Sequence, residues 1–376
     1  MDGAGATEHA LEARNPLGTL ERLRVGGFTV FDEAEFAFAP GINVVVGENG
    51  AGKSHLLKLA YAASKALYPA QAGRLPAGKD ALSKAIAEKL VGVFLPDNLG
   101  RLCRRGRGRQ RSMVALTFAG PLDADRRSLA FSFSTNSKAS VTLDAHPDLP
   151  DGPEGGPIFV PTREMISLAP DFARDFSRFS TRFDDTYYDL SLALLGGLRR
   201  GKRSAAVNAL VAPLEAAMGG SLFVERGSGR VYLRTERDGA IEMPLLAEGL
   251  RKIAMLAFLI LNGSLVRHGT IYWDEPETNL NPKLMSGLAE VLVRLAADGV
   301  QLFIATHSLF LMREIALQLD LQAGIPRRFF SLARRDGAVT VQSAADVDDL
   351  DSIPALDAAI AQDEALERHS WSGRDA

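Results

Sequence analysis

The feature that most restricts this chain is 42-INVVVGENGAGKSHLLKLAY-61, in which 47-GENGAGKS-54 fits the pattern G-x-x-x-x-G-K-[ST]. Val44, Val45 and Val46 supply an apolar, β-branched strand before it. Leu56, Leu57, Leu59 and Ala60 supply the apolar face of a helix after it. A glycine-rich turn between a buried strand and a helix start is the context that a phosphate-binding loop requires. Its glycines reach backbone angles that a Cβ would penalise. The N–H groups of Asn49, Gly50, Ala51 and Gly52 then converge on phosphate oxygens, and the new helix aims its positive end at the same point. Lys53 is expected to bridge the β- and γ-phosphates of ATP, with Ser54 ligating Mg²⁺.

A triphosphate site of this kind also needs a carboxylate on the metal side. In 269-GTIYWDEPETNLNP-282, residues Thr270 to Trp273 read as a short buried strand ending on two acids. Asp274 stands where a metal-holding aspartate is expected. Glu275, one residue on, is placed to polarise a water for in-line attack. A third apolar strand, in 301-QLFIATHS-308, ends at His307. The carboxyl end of such a strand lies on the ligand edge of an open α/β sheet, so His307 can meet the γ-phosphate or the attacking water.

Together these residues resemble the ABC-type ATPase heads. The 279-NLNP-282 turn looks like their D-loop, and His307 looks like their switch histidine. The opening 19-TLERLRVGGFTVFDEAEFAFAPGINVVVGENGAGKS-54 is similar to the RecF, structural-maintenance-of-chromosomes (SMC) and overcoming-lysogenization-defect (OLD) branch, and 273-WDEPETNLNP-282 resembles the last especially. The resemblance covers about residues 18–66 and 240–310. It implies an α/β fold, a P-loop nucleoside triphosphatase of ABC-ATPase type with a mixed central sheet flanked by helices. It also implies ATP and Mg²⁺ as ligands and a homodimer that sandwiches two nucleotides. In such a dimer a signature helix completes the partner's site. The candidate here is Ala247, Glu248 and Gly249, in 245-LLAEGLRKIAMLAFLIL-261. Ala247 replaces the family's usual serine, and Arg251 or Lys252 stands as a substitute for its hydroxyl. His55 occupies the position of a second serine or threonine that faces the α-phosphate. Arg163, ending the strand in 157-PIFVPTRE-164, resembles the strand that feeds the family's Q-loop, without the glutamine.

Composition narrows the remaining possibilities. The net charge of −3 excludes a nucleic-acid binder that works by overall charge, while leaving local patches open. A single cysteine, Cys103, excludes an intrachain disulfide and a Cys-rich zinc site and fits a reducing cytoplasm. The first 17 residues lack the apolar core of a signal peptide. The most apolar run, 253-IAMLAFLIL-261, falls short of the ~20 residues a bilayer span needs and reads as a buried helix. No membrane partner is expected.

Domain organisation follows from the motif spacing. Residues 18–66 and 240–343 are expected to form the ATPase core lobe, and 67–239 an inserted, compact α+β second lobe. Within the insert, 112-SMVALTFA-119, 128-SLAFSFST-135 and 139-ASVTLDA-145 read as a meander. Residues 171–219 read as helical, with Phe172, Phe176, Phe179 and Phe183 forming a core stripe. Residues 221–239 read as a hairpin. The run 101-RLCRRGRGRQR-111 reads as a mobile loop, in which Arg104, Arg105, Arg107 and Arg109 grip a nucleic-acid backbone, dock an acidic partner or stay solvated. The acidic tail, 344–376, is a peripheral helix or partner strip, or pairs with that loop.

Three readings of function emerge. The leading one is an ATP-hydrolysing switch that dimerises around two ATP and controls a separate effector protein. The chain after the His307 strand leaves no room for the Toprim domain fused to some relatives, and likeness to ATPase subunits of anti-phage or toxin systems points the same way. A RecF-like DNA-repair head that binds DNA is the second. A nucleotide-gated scaffold without turnover is the third.

Overall fold

The computed structural model describes residues 18–372, except 69–77, 121–122, 148–155, 179–182, 200, 226, 266–268 and 336. The chain runs β1 (Leu20–Phe28), β2 (Phe31–Ala37), β3 (Ile42–Gly47), α1 (Lys53–Lys65), α2 (Lys79–Phe94), β4 (Arg111–Phe118), β5 (Ser128–Ser134), β6 (Thr142–Ala145) and β7 (Ile158–Val160). It continues through α3 (Ala169–Arg178), α4 (Asp185–Ala193), α5 (Ala205–Met218), β8 (Gly220–Val224), β9 (Val231–Thr235), β10 (Gly239–Glu242), α6 (Glu248–Leu261) and β11 (Thr270–Asp274). The last elements are α7 (Pro282–Ala297), β12 (Gln301–Ala305), α8 (Leu309–Leu321), β13 (Arg327–Arg335), β14 (Ala338–Ala344) and α9 (Pro354–Ser372).

The buried run Ile42–Gly47 dictates the centre. A strand apolar on both faces needs cover on both faces, and β3 lies in a six-stranded sheet of order β14-β13-β3-β12-β11-β7. It is parallel to β12 and β13, β11 is parallel to β12 and β7, and the β13–β14 hairpin makes the sheet mixed. Successive side chains of a strand point to opposite faces. Val44 and Val46 accordingly enter one core with α5, α6, α7 and α8, and Val45 enters another with α1 and α2. Two buried amides lock the strand ends. Asn43 exchanges hydrogen bonds with Ala39, and Gln301 donates to the carbonyls of Leu20 and Ala39 while accepting from the Leu20 N–H. Residues Ile253–Leu261 of α6 are all buried, as the apolar run requires.

The second core is closed by a five-stranded antiparallel sheet of order β2-β1-β4-β5-β6. The expected meander is present, but it does not belong to a lobe apart from the ATPase core. β4 pairs with β1, with Leu116 opposite Leu23 and Val114 opposite Val25, and β7 enters the central sheet. The reason is burial: three isolated strands would leave Val114, Leu116, Leu129 and Phe131 wet, whereas the joint sheet covers them with α1 and α2. The described residues of 67–239 are thus woven into both cores.

The hairpin is present as β8 and β9, extended by β10. Phe172, Phe176 and Phe183 make ring contacts with one another and with Tyr187 and Tyr188, although Phe183 keeps 38% of its surface exposed; Phe179 lies outside the described residues. Among the described residues the tail's acids Asp346 and Asp351 pair locally, with Arg327 and Gln342, instead of with the arginine loop. Among the described residues no helix is long and apolar enough to cross a membrane.

Candidate functional site

At the carboxyl end of β3 the chain makes the turn Gly47–Gly52 and enters α1 directly at Lys53. Gly50 (φ 80°) and Gly52 (φ 101°) hold backbone angles that disfavour any other residue. A Cβ on Gly52 would also stand 2.7 Å from Val30 Cγ2. Among the described residues no side chain caps α1, and its first turn carries no acid, so its leading N–H groups face the loop. Lys53 is buried, and its ammonium donates to the carbonyls of Gly47 (2.7 Å) and Glu48 (3.1 Å). Burial pushes its pKa down, while Glu275, Asp274 and Glu277 act to hold the charge.

The acidic half arrives from β11. Asp274 is buried, and Ser54 Oγ donates to its Oδ1 at 3.0 Å across 220 residues of sequence. Burial pushes the Asp274 carboxyl up, and the Ser54 hydroxyl is the main opposing contact. One hydroxyl and one carboxylate on the same side suit Mg²⁺, which takes few protein ligands and fills its shell with water and phosphate oxygens. No group of three or more His, Cys, Asp or Glu able to hold a metal occurs among the described residues.

Glu275 adopts φ 50°, unusual for a residue with a side chain. Its N–H donates to Ala305 O (2.9 Å) and its carbonyl accepts from Thr278 Oγ1 (3.0 Å). That pinned backbone turns the carboxylate toward β12, where Oε1 lies 3.4 Å from His307 Nδ1. Lys53, Ser54, Asp274, Glu275 and His307 therefore converge on one sheet edge. Asn49 and His307 share the wall of a cavity of about 250 Å³ with Pro354 at the start of α9. Ala51 is buried, its N–H donating to Glu48 O (3.2 Å). His55 is half-buried, with Nδ1 3.1 Å from Thr29 Oγ1 and its ring against Phe94.

The signature candidate sits at the start of α6. Ala247 is its exposed N-cap residue, Glu248 its first, and Gly249 is buried against the 279–282 turn. Asn281 N-caps α7 by accepting from the Leu284 N–H (2.9 Å). A groove of about 700 Å³ beside this turn is lined by Pro213, Ala216, Leu250, Asn281 and Leu284. Neither substitute for the missing serine is free. Lys252 is fully buried and donates to the carbonyls of Thr278 (2.9 Å) and Glu275 (3.4 Å) of its own chain. Arg251 pairs at 3.0 Å with the buried Glu164, without the alignment of a hydrogen bond. Both serve in cis because a buried charge must find a partner where it lies. Arg163 is exposed.

Members of the arginine run differ. Arg104 is a structural clamp: it donates to Val30 O and Gly337 O, each at 2.7 Å. Arg105, Arg107 and Arg109 are exposed, with Arg109 donating to Ser134 Oγ (3.3 Å). Sequence reasoning missed two functional candidates. One is a cis role for Lys252, which the sequence offered only as a substitute in trans and which instead holds the turn after β11. The other is Glu277, whose only signal was a third acid within four residues of a strand end.

Comparisons with known proteins bear on the family and the fold. A family model described as "AAA domain, putative AbiEii toxin, Type IV TA system" matches residues 104–313, more than half of the chain. A second, described as "AAA domain", matches residues 22–59, which include the phosphate loop. No curated protein matches the chain significantly. Among solved structures, an SMC head bound to the C-winged helix domain of ScpA aligns with TM-score 0.52 at 15% identity, over 87% of this chain and 98% of that one. The SMC head domain from Thermotoga maritima gives 0.46 at 15% identity, over 87% and 99%. An Smc head with an extended coiled coil, bound to the C-terminal domain of ScpA derived from Pyrococcus furiosus, gives 0.47 at 13%, over 93% and 99%. The chain belongs to the AAA-domain family described as putative AbiEii toxin, Type IV TA system, and its mixed sheet flanked by helices is the fold of an ABC-type ATPase head.

Proposed function

We propose that this protein is an ATP-hydrolysing switch that closes on a second copy around two ATP and controls a separate protein. The observation that carries the reading is the Ser54–Asp274 contact, which joins the phosphate loop to the acidic strand. On binding ATP, Lys53 exchanges its two loop carbonyls for β- and γ-phosphate oxygens, and the N–H groups of residues 49, 50 and 52–54 meet the same phosphates. Ser54 and Asp274 would hold Mg²⁺, which when bound neutralises charge on those oxygens. Glu275 orients the attacking water and takes its proton, and His307 contacts the γ-phosphate. Gly249 and the N-terminus of α6 face the nucleotide held by the partner copy. The groove beside α6 and α7 supports docking at that face.

The 273-WDEPETNLNP-282 phrase supports a place in the OLD-like branch, working in a cytoplasmic anti-phage or toxin–antitoxin system. The family's description supports the same setting, and the ScpA-bound SMC head supports a separate protein partner. Ala247 favours a second reading, a nucleotide-gated scaffold with negligible turnover, because the family's serine hydroxyl is missing there. Exposed Arg105, Arg107 and Arg109 favour nucleic acid as a further partner, as in RecF-like heads.

Calorimetry with Mg-ATP and steady-state turnover on the wild type and Glu275→Gln test the main reading. The wild type hydrolyses ATP. The variant binds it, turns over roughly 10²–10⁴-fold more slowly, and accumulates as a dimer by light scattering. Equal turnover in the two removes Glu275 as the base. Binding without wild-type turnover favours the scaffold, and no binding heat defeats both readings.

A further inference from the structure

Glu277 stands three residues beyond Asp274 in the turn between β11 and α7, with 6% of its surface exposed. A carboxylate this buried is costly unless it is bonded and paired. Its Oε1 accepts from Thr306 Oγ1 (2.7 Å) and from the His307 N–H (3.1 Å), both at the end of β12. Thr306 Oγ1 in turn accepts from the Ser308 N–H at 3.0 Å. One side chain thus ties the turn carrying Glu275 to the peptide carrying His307. Its Oε2 touches no solvent and has no hydrogen-bond partner among the described residues.

A glutamine would accept the same two hydrogen bonds, so what the charge adds is its field on its neighbours: the buried ammoniums of Lys53 and Lys252 and the imidazole of His307. His307 Nδ1 lies 3.6 Å from Glu277 Oε1 and 3.4 Å from Glu275 Oε1, so one ring nitrogen faces two carboxylates. That field favours a proton on Nδ1 and leaves Nε2 for the other side of the ring. Resting on the functional reading above, we propose that Glu277 is a positioning residue of the ATPase site. It fixes the His307 peptide, holds the Nδ1 proton toward the carboxylate pair, and so presents Nε2 to the γ-phosphate while Glu275 stays aimed at the water.

A double-mutant cycle with Glu277→Gln and His307→Ala tests this, reading kcat, Mg-ATP affinity and melting temperature. Glu277→Gln lowers kcat by roughly 10- to 100-fold and leaves affinity within about twofold, since phosphate contacts made by other residues remain. In the His307→Ala background the same change costs nothing further, because a residue acting through the imidazole has nothing left to position. Losses that multiply in the double variant overturn the proposal. So does a Glu277→Gln protein that melts earlier with kcat unchanged. Should that variant fail to fold, Thr306→Val deletes one donor to the same carboxylate and keeps the charge; its loss in kcat must likewise vanish without His307. Absence of turnover in the wild type removes the functional reading and this proposal together, whereas turnover with multiplying losses removes the proposal alone.

Discussion

Replacing Gly249 by alanine probes why a glycine opens α6. An ideal Cβ there would stand 2.4 Å from Asn279 O and 3.1 Å from Leu280 Cδ2. Ordinary contact begins near about 3.5 Å, so the helix start or the turn must retreat by roughly 1 Å. The turn has little freedom to do so, because Asn279 is already at φ 65° and Asn281 is committed to capping α7. Overpacking of this size costs about 1–3 kcal/mol. At about 2–4 °C per kcal/mol that is a fall in melting temperature of roughly 2–12 °C. The clash lies within one chain, so circular dichroism of nucleotide-free protein should register it. Ala247→Ser is the companion: its position is extended (φ −58°, ψ 143°) and offers the helix no side-chain cap, so serine should add about 1 kcal/mol. If Gly249→Ala melts within about 1 °C of wild type and only ATP-dependent behaviour changes, the glycine is there for a partner and the packing argument fails.

The buried Lys252 has a pKa lowered by desolvation, against the nearby acids Glu248, Glu277, Glu275 and Glu164. Its unfolded form binds the proton more tightly, so stability rises with pH as the solution climbs through the lowered pKa toward 10.5. Lys252→Met should lose that increment, seen as a flatter urea-unfolding series as the pH climbs toward 10.5; an unchanged slope contradicts the assignment. For the arginine loop, Arg105→Ala, Arg107→Ala and Arg109→Ala together should leave stability intact. If the loop grips duplex DNA, they lower the log–log salt slope by up to ~2.7, about 0.9 per phosphate contact. Arg104→Ala should instead destabilise the fold, since it frees the carbonyls of Val30 and Gly337. DNA binding that ignores the triple change discards the loop as the contact.

What could be read in the sequence was what is written locally. The phosphate loop carries its own strand and helix, and Asp274 and His307 each end a short apolar run. Their convergence followed from the sheet-edge rule for α/β folds. The β4–β6 meander was legible as strands, but its partner was not. Pairing Leu23 with Leu116 spans most of a hundred residues, and alternation reports which face is buried without naming the neighbour. Arg104 looked like one of six equivalent arginines because side-chain bonds to distant carbonyls leave no periodic trace. Glu277, and the cis role of Lys252, were opaque for a related reason: a buried charge looks like a surface one until its partners are known.

The position of β3 has a consequence for how the molecule is made. Both of its sheet neighbours, β12 and β13, lie more than 250 residues downstream. At ~5–20 residues per second, translation takes on the order of 10–50 s to bridge that gap. During that time an apolar strand with two unsatisfied edges waits at the ribosome's mouth. Such a strand is a template for mispairing, so the nascent chain has its greatest need of a chaperone before Gln301 emerges.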